Sequence, residues 1–166
     1  MADLTYRSLQ PRDFDALSVM MSDWLVVRQL GGWPWPYDAD FTRSRCQPYE
    51  GEGFVWAICI ADQLVGTVGV TNGDLGYVLA AAHHDKGIMS RAARAAVDHA
   101  FETTKRDYLT GSTWYDNAAS YRLLQKLGFR HWQTRYTHAK ARKMPTLVHH
   151  HRLTRADWDR LRSAAQ

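Results

Sequence analysis

Two short polar segments of the chain each follow an apolar strand and open a predicted helix. Residues 84–90 form the first segment, and residues 117–120 form the second. The first backbone N–H groups of a helix have no partner within the helix, and together with the helix dipole they attract an anion. Ser120 adds a hydroxyl near the second helix start. The pattern indicates a site for a phosphorylated cofactor with a second polar contact further along it.

Hydrophobic periodicity predicts the elements that position these segments. Strands are predicted at residues 4–9, 54–60, 64–70, 75–79, 108–114, 129–137 and 146–153. Helices are predicted at residues 11–30 with a break near 22–23, and at 38–46, 86–104, 118–127 and 155–163. The three strands between residues 54 and 79 are joined by short turns, which predicts an antiparallel meander. The order of elements therefore predicts a mixed sheet with helices packed on it, in the α+β class.

Composition limits the class of protein. The 166 residues fit one domain over 1–166, which can bury a core without disulfides or metals. Cys46 and Cys59 lack companions at ligand spacing, so a reducing cytoplasm is expected. The net charge of +4 is spread along the chain, which favours an anionic ligand but predicts no nucleic-acid partner. No stretch approaches the roughly 20 apolar residues of a membrane span, so we expect no membrane partner.

A run of three histidines raises the question of a metal site. His149, His150 and His151 lie in a predicted strand, where the outer two side chains face opposite to the middle one. The three imidazoles therefore cannot converge on one ion, and we predict no metal.

Four motifs occur in a fixed order along the chain. They are LGYVL at 75–79, HDKGIMS at 84–90, NAAS at 117–120 and KLGF at 126–129. With the early strand and helix and the PWPY segment at 34–37, this order resembles the GNAT superfamily of acetyl-CoA-dependent N-acetyltransferases. Within it, the branch of ribosomal-protein alanine N-acetyltransferases and their small-molecule relatives is the most similar. The resemblance implies a mixed, mostly antiparallel sheet with helices on both faces, acetyl-CoA as cofactor, and a monomer or homodimer.

The resemblance also implies which residues bind the cofactor. These are Leu79, His84, Asp85, Lys86, Gly87, Ile88, Met89, Ser90, Asn117 and Ser120. Residues 84–89 match the family's pyrophosphate loop, although Met89 stands where a Gly or Ala is usual. Asn117 is interpreted as a helix N-cap, as a contact to the pantetheine arm, or as both.

Acetyl transfer needs a polarised thioester carbonyl and a proton for the leaving thiolate. Backbone N–H groups of the strand at 75–79 are expected to bind the thioester oxygen if the strands splay near residues 79–80. Many relatives supply the proton from a Tyr where this chain has Leu124. Ser120 is the predicted substitute, one turn upstream on the same helix face. Its alternative role is that of a hydroxyl in the capping region.

The acceptor is the least defined part of the prediction. The expected pocket residues are Trp33, Trp35, Tyr37 and Tyr77. The aromatic loop that contains the first three is equally consistent with a cover over the core. The general base stays open between His83, His84 and a water-mediated base.

The predicted reaction is direct attack on acetyl-CoA, in a ternary complex, by a primary amine of a protein N-terminus or a small molecule. No acyl-cysteine step is predicted, because both cysteines lie outside the motifs. The alternative is a CoA-binding module of the same fold with little or no turnover.

Overall fold

A computed structural model describes residues 3–164 of the chain. Residues 1–2 and 165–166 of the predicted domain lie outside the described part. The strands are β1 (Thr5–Ser8), β2 (Gly53–Ile60), β3 (Gln63–Thr71), β4 (Asp74–Leu79), β5 (Tyr108–Trp114), β6 (Arg130–Ala139) and β7 (Met144–Thr154). The α-helices are α1 (Phe14–Met21), α2 (Trp24–Val27), α3 (Ala39–Arg45), α4 (Ile88–Thr103), α5 (Ala118–Lys126) and α6 (Arg155–Ala164). Short 3-10 turns occupy Pro11–Asp13 and Ala81–His83.

The strands form one sheet of mixed direction. Its order is β1-β2-β3-β4-β5-β7-β6, and β4 pairs with β5 in parallel while the other described pairs are antiparallel. The predicted meander is present as β2, β3 and β4. The predicted mixed, mostly antiparallel sheet is therefore confirmed.

The early helix is divided where the sequence predicts a break, whereas the start of the long helix differs from the prediction. The early helix is divided at Ser22, because the Asp23 side chain accepts the N–H of Leu25 and starts a new helix there. The long helix begins at Ile88 and not at residue 86, because Gly87 adopts a left-handed φ of 71° immediately before it.

Helices cover both faces of the sheet. On β4, Leu75 and Leu79 belong to the core cluster that contains α4 and α5, whereas Val78 belongs to the cluster that contains α1. The apolar face of α4 carries mostly alanines, which allow close approach to the sheet. Within residues 3–164, no helix is both long and apolar enough to span a membrane.

Candidate active site

The sheet opens between β4 and β5. The two strands pair only at Asp74 with Thr110 and at Leu75 with Gly111, so the described strands separate from Gly76 onward. The Ala80 N–H donates to the Val65 carbonyl at 2.9 Å. Strand alternation then turns the N–H groups of Tyr77 and Leu79 away from β3 and toward the opening. The predicted splay is thus present, and it begins earlier along β4 than expected.

The loop before α4 exposes unpaired N–H groups. The first N–H bond within this helix runs from Arg91 to the Gly87 carbonyl at 3.2 Å, and within the described chain no side chain caps the helix. The N–H groups of residues 88–90 therefore remain available to an anion. His84 Nε2 lies 3.0 Å from the Leu79 carbonyl oxygen and ties the loop to the end of β4.

Met89 does not obstruct this loop. Its side chain is half-buried and packs against the core cluster under α4, while residues 84–87 and 90 are exposed. The larger side chain at this family position is accommodated in the core. The loop residues consequently fit a pyrophosphate group.

The start of α5 supplies polar groups at the opening. Asn117 Oδ1 accepts the Ser120 N–H at 3.1 Å, so the N-cap interpretation of Asn117 is confirmed. Burial raises the pKa of Tyr77 to about 12, and the neighbouring Ser120 hydroxyl opposes that shift. The Tyr77 hydroxyl is buried without a hydrogen bond of normal geometry among the described residues. Leu124 is fully buried in the core. Tyr77 and Ser120 therefore place two hydroxyls together at the opening.

A cavity of about 520 Å³ extends from this opening across the α1 face of the sheet. Its lining includes Asn117 and Ser120 at the start of α5 and the aromatic residues Trp33 and Phe41. The cavity thus joins the start of α5 to an aromatic pocket. An acceptor bound there would reach the opening where the thioester is expected.

Only part of the predicted pocket lines this cavity. Trp33 and Tyr77 do, whereas Trp35 and Tyr37 are not among its lining residues. Trp35 packs against Trp24 with ring centroids 5.1 Å apart, and the Tyr37 hydroxyl donates to Ser18 Oγ at 2.7 Å. For these two residues, the structure favours the alternative of an aromatic cover over the core.

Asp74 is a functional candidate that the sequence prediction missed. Asp74 lines the cavity and is exposed to solvent, and its carboxylate accepts the Thr110 hydroxyl at 2.6 Å. Desolvation raises the pKa of Asp74, and the Thr110 hydrogen bond and the charge of His150 only partly oppose this. The predicted bases His83 and His84 are not among the residues lining the cavity. An acidic residue at the first position of β4, the strand that borders the opening, is the signal that could have identified Asp74.

The three consecutive histidines divide between the faces as predicted. His149 and His151 make ring contacts with His131 and Tyr121, while His150 accepts a hydrogen bond from Arg135 at 3.0 Å on the other side. Among residues 3–164, no three His, Cys, Asp or Glu side chains are arranged to hold a metal ion.

His151 makes stability depend on pH. Burial lowers the pKa of this fully buried imidazole below its ordinary value of 6.5, and the charges of His131 and His149 add to the effect. Below that value the unfolded chain binds the proton more readily, so stability falls as the pH decreases through the folded pKa. Lowering the pH from about 7.5 to about 5.5 should therefore decrease the free energy of unfolding less in His151→Leu than in the unmodified protein. Urea unfolding at the two pH values measures this difference.

His138→Leu is the matched control, because His138 is an exposed histidine of β6. An equal flattening of the pH dependence in both variants would show that burial of His151 is not the cause.

The chain matches a known family over most of its length. Residues 3–130 match the family model of the acetyltransferase (GNAT) domain. The chain therefore belongs to the GNAT family and is an N-acetyltransferase, a class that uses acetyl-CoA.

Individual relatives are similar over different lengths. The chain is 40% identical over 76 residues to the Probable N-acetyltransferase YjcK of Bacillus subtilis (strain 168), a match that covers 41% of this chain and 42% of that protein. It is 27% identical over 141 residues to the Uncharacterized N-acetyltransferase p20 of Bacillus licheniformis, over 76% and 79% of the two chains. The first match thus spans less than half of that relative.

A solved structure with the same fold is the spermidine N-acetyltransferase from Vibrio cholerae in complex with CoA and spermine. The TM-score is 0.78 at 14% sequence identity, with 93% of this chain and 97% of that chain covered. At this identity the similarity supports the fold.

Proposed function

We propose that the protein transfers the acetyl group of acetyl-CoA to a primary amine by direct attack in a ternary complex. The observation that carries this proposal is the continuous cavity from Ser120 to Trp33 beside the opening of the sheet. The cavity allows the acyl donor and the acceptor to be bound at the same time. Direct transfer also requires no nucleophilic cysteine, in keeping with the buried positions of Cys46 and Cys59.

Each step then has a candidate group in this chain. Acetyl-CoA supplies the acyl group as a thioester. The N–H groups of residues 88–90 bind its pyrophosphate, and the Leu79 N–H stabilises negative charge on the carbonyl oxygen. Asp74 accepts the proton of the attacking amine through several waters in the cavity, because five residues of extended strand, about 16 Å, separate it from Leu79. As the C–N bond forms and the C–S bond breaks, Ser120 donates a proton to the leaving sulfur and recovers one through the cavity waters from protonated Asp74, so that the products are the amide and the free thiol.

The acceptor is proposed to be a small amine or the first residues of a peptide. A cavity of about 520 Å³ lies in the usual range for small-molecule sites. An α-amino group has an ordinary pKa of about 7.7 to 8.0 and is partly neutral near pH 7, whereas a lysine amine at about 10.4 needs more help from the base. The α-amino groups of ribosomal proteins are therefore included among the proposed acceptors. We place the reaction in a reducing cytoplasm, which the two free, buried cysteines support.

Cofactor binding and turnover test the proposal separately. We expect acetyl-CoA to raise the melting temperature and thiol release to require an added amine. Stabilisation without thiol release for any amine would favour the alternative, a CoA-binding module without turnover. Absence of stabilisation by acetyl-CoA would contradict both functions.

Ser120→Ala tests the proton donor. We expect kcat to fall by about 100-fold, because the leaving thiolate loses its acid, while the Kd for acetyl-CoA changes little. Steady-state kinetics and isothermal titration calorimetry measure the two quantities. Tyr77→Phe is the companion variant, since its hydroxyl lies beside that of Ser120. A large loss in Tyr77→Phe with an unchanged kcat in Ser120→Ala would transfer the role to Tyr77.

A further inference from the structure

The guanidinium of Arg142 links its own turn to two other segments of the chain, residues 28–29 and Asp116. Arg142 lies in the turn between β6 and β7, and its side chain is 9% exposed. Its Nε donates to the Arg28 carbonyl at 2.8 Å, and one terminal nitrogen donates to Gln29 Oε1 at 3.0 Å. The two terminal nitrogens also donate to both carboxylate oxygens of Asp116, at 3.1 and 2.8 Å.

The residues that Arg142 binds belong to two segments of the chain that border the cavity. Gln29 is itself a lining residue and begins the segment that leads to Trp33. Asp116 directly precedes Asn117, the N-cap of α5, so it borders the helix start that carries Ser120. One side chain thus holds the segment that leads to Trp33 against the start of α5.

The bridge is strongly held. Arg28 adds a second ion pair to Asp116 at 2.6 Å. Burial alone would raise the pKa of the Asp116 carboxyl, but the hydrogen bonds and charges of Arg142 and Arg28 outweigh burial and lower it. The neighbouring Ala141 is buried in the core cluster that includes α1, which anchors the turn itself. The guanidinium is therefore held by the residues that it contacts and by the buried turn from which its side chain extends.

We propose that Arg142 is a positioning residue that sets the distance between the acceptor amine and the thioester. The inference rests on the proposed acetyl transfer. It gives Arg142 a positioning role, although Arg142 lies outside the four sequence motifs. Small misplacements of reacting groups cost about 100-fold in rate, so a bridge between the two binding segments directly affects turnover. Arg142 acts through Gln29 and Asp116 and does not touch the reacting atoms.

Arg142→Lys tests this role, because lysine keeps the charge but cannot bridge three acceptors in fixed geometry. We expect kcat to fall by about tenfold and the KM for the amine to rise, with the Kd for acetyl-CoA unchanged. Arg7→Lys is the matched control, since Arg7 also binds both oxygens of a buried carboxylate, Asp13, at 2.8 and 2.7 Å. Neither Arg7 nor Asp13 lines the cavity, so kcat and KM should stay at their original values.

Hydrogen exchange tests the bridge without reference to turnover. In Arg142→Lys, the amides of residues 28–33 and 116–120 should lose protection together, and in Arg7→Lys they should not. Asp116→Asn retains the shape of the side chain and should give the same pattern more weakly. Unchanged protection at either segment, or an unchanged kcat and amine KM once protection is lost, would overturn the proposal. If the unmodified protein acetylates no amine, the proposed function fails, while the exchange result still shows whether the bridge exists.

Discussion

Replacing Asp74 with Asn is expected to lower kcat by about 1,000-fold, the largest catalytic effect that the structure predicts for one side chain. Asparagine keeps the size of the side chain and accepts the Thr110 hydroxyl, but it cannot take a proton from the amine. The proposed cofactor-binding groups lie at the starts of α4 and α5, so the Kd for acetyl-CoA should change little. Stopped-time thiol-release assays at saturating substrates measure the effect.

The pH dependence of kcat/KM distinguishes a base from a structural carboxylate. Asp74 is active when deprotonated, and desolvation raises its pKa above the ordinary value of 3.8. The value of kcat/KM should therefore fall as the pH decreases through this raised pKa, which gives the pH profile an acidic limb. Asp74→Asn should lack this acidic limb. Glu50→Gln is the matched control, because Glu50 is another carboxyl that lines the cavity. Loss of the limb in Glu50→Gln and its retention in Asp74→Asn would assign the base to Glu50.

Gly87→Val is expected to weaken acetyl-CoA binding by at least about tenfold. Gly87 has a φ of 71°, in the left-handed region that a β-branched residue strongly avoids. Forcing this conformation costs roughly 1–3 kcal/mol, and about 1.4 kcal/mol corresponds to tenfold in affinity. A Cβ at Gly87 would meet no heavy atom within 4 Å, so the loss would come from the loop conformation and the ligand and not from a clash within the protein.

Gly87→Asn separates these two causes, because asparagine tolerates the left-handed conformation. A smaller loss of acetyl-CoA affinity in Gly87→Asn than in Gly87→Val would identify backbone conformation as the main cause. An equal loss of affinity in the two variants would identify crowding of the pyrophosphate. Calorimetric titration with CoA and acetyl-CoA measures both variants. Retention of full affinity in Gly87→Val would contradict the assignment of the loop.

The sequence predicted the elements well because their signals are local. The apolar face of α4 and the alternation in β2 and β3 require no knowledge of the rest of the chain. The start of α4 was displaced by two residues because the conformation of Gly87 places the helix start after it. Asn117 was recognisable as a cap because its partner, Ser120, is three residues away.

The missed parts of the site depend on tertiary structure. Asp74 follows Asn72 and Gly73, and this sequence predicts a turn. The position of Asp74 in the cavity depends on where β4 and β5 separate. Arg142 contacts the carbonyl of Arg28, 114 residues earlier, so no local pattern marks the contact. For Trp35, composition indicated an aromatic loop but did not determine which aromatic side chains pack on the core.

Initial-rate kinetics with acetyl-CoA and the amine varied together test the central claim most directly. Direct attack in a ternary complex predicts intersecting double-reciprocal lines, with one acetylated amine formed for each thiol released. Parallel lines, or thiol release without an acetylated amine, would contradict the account.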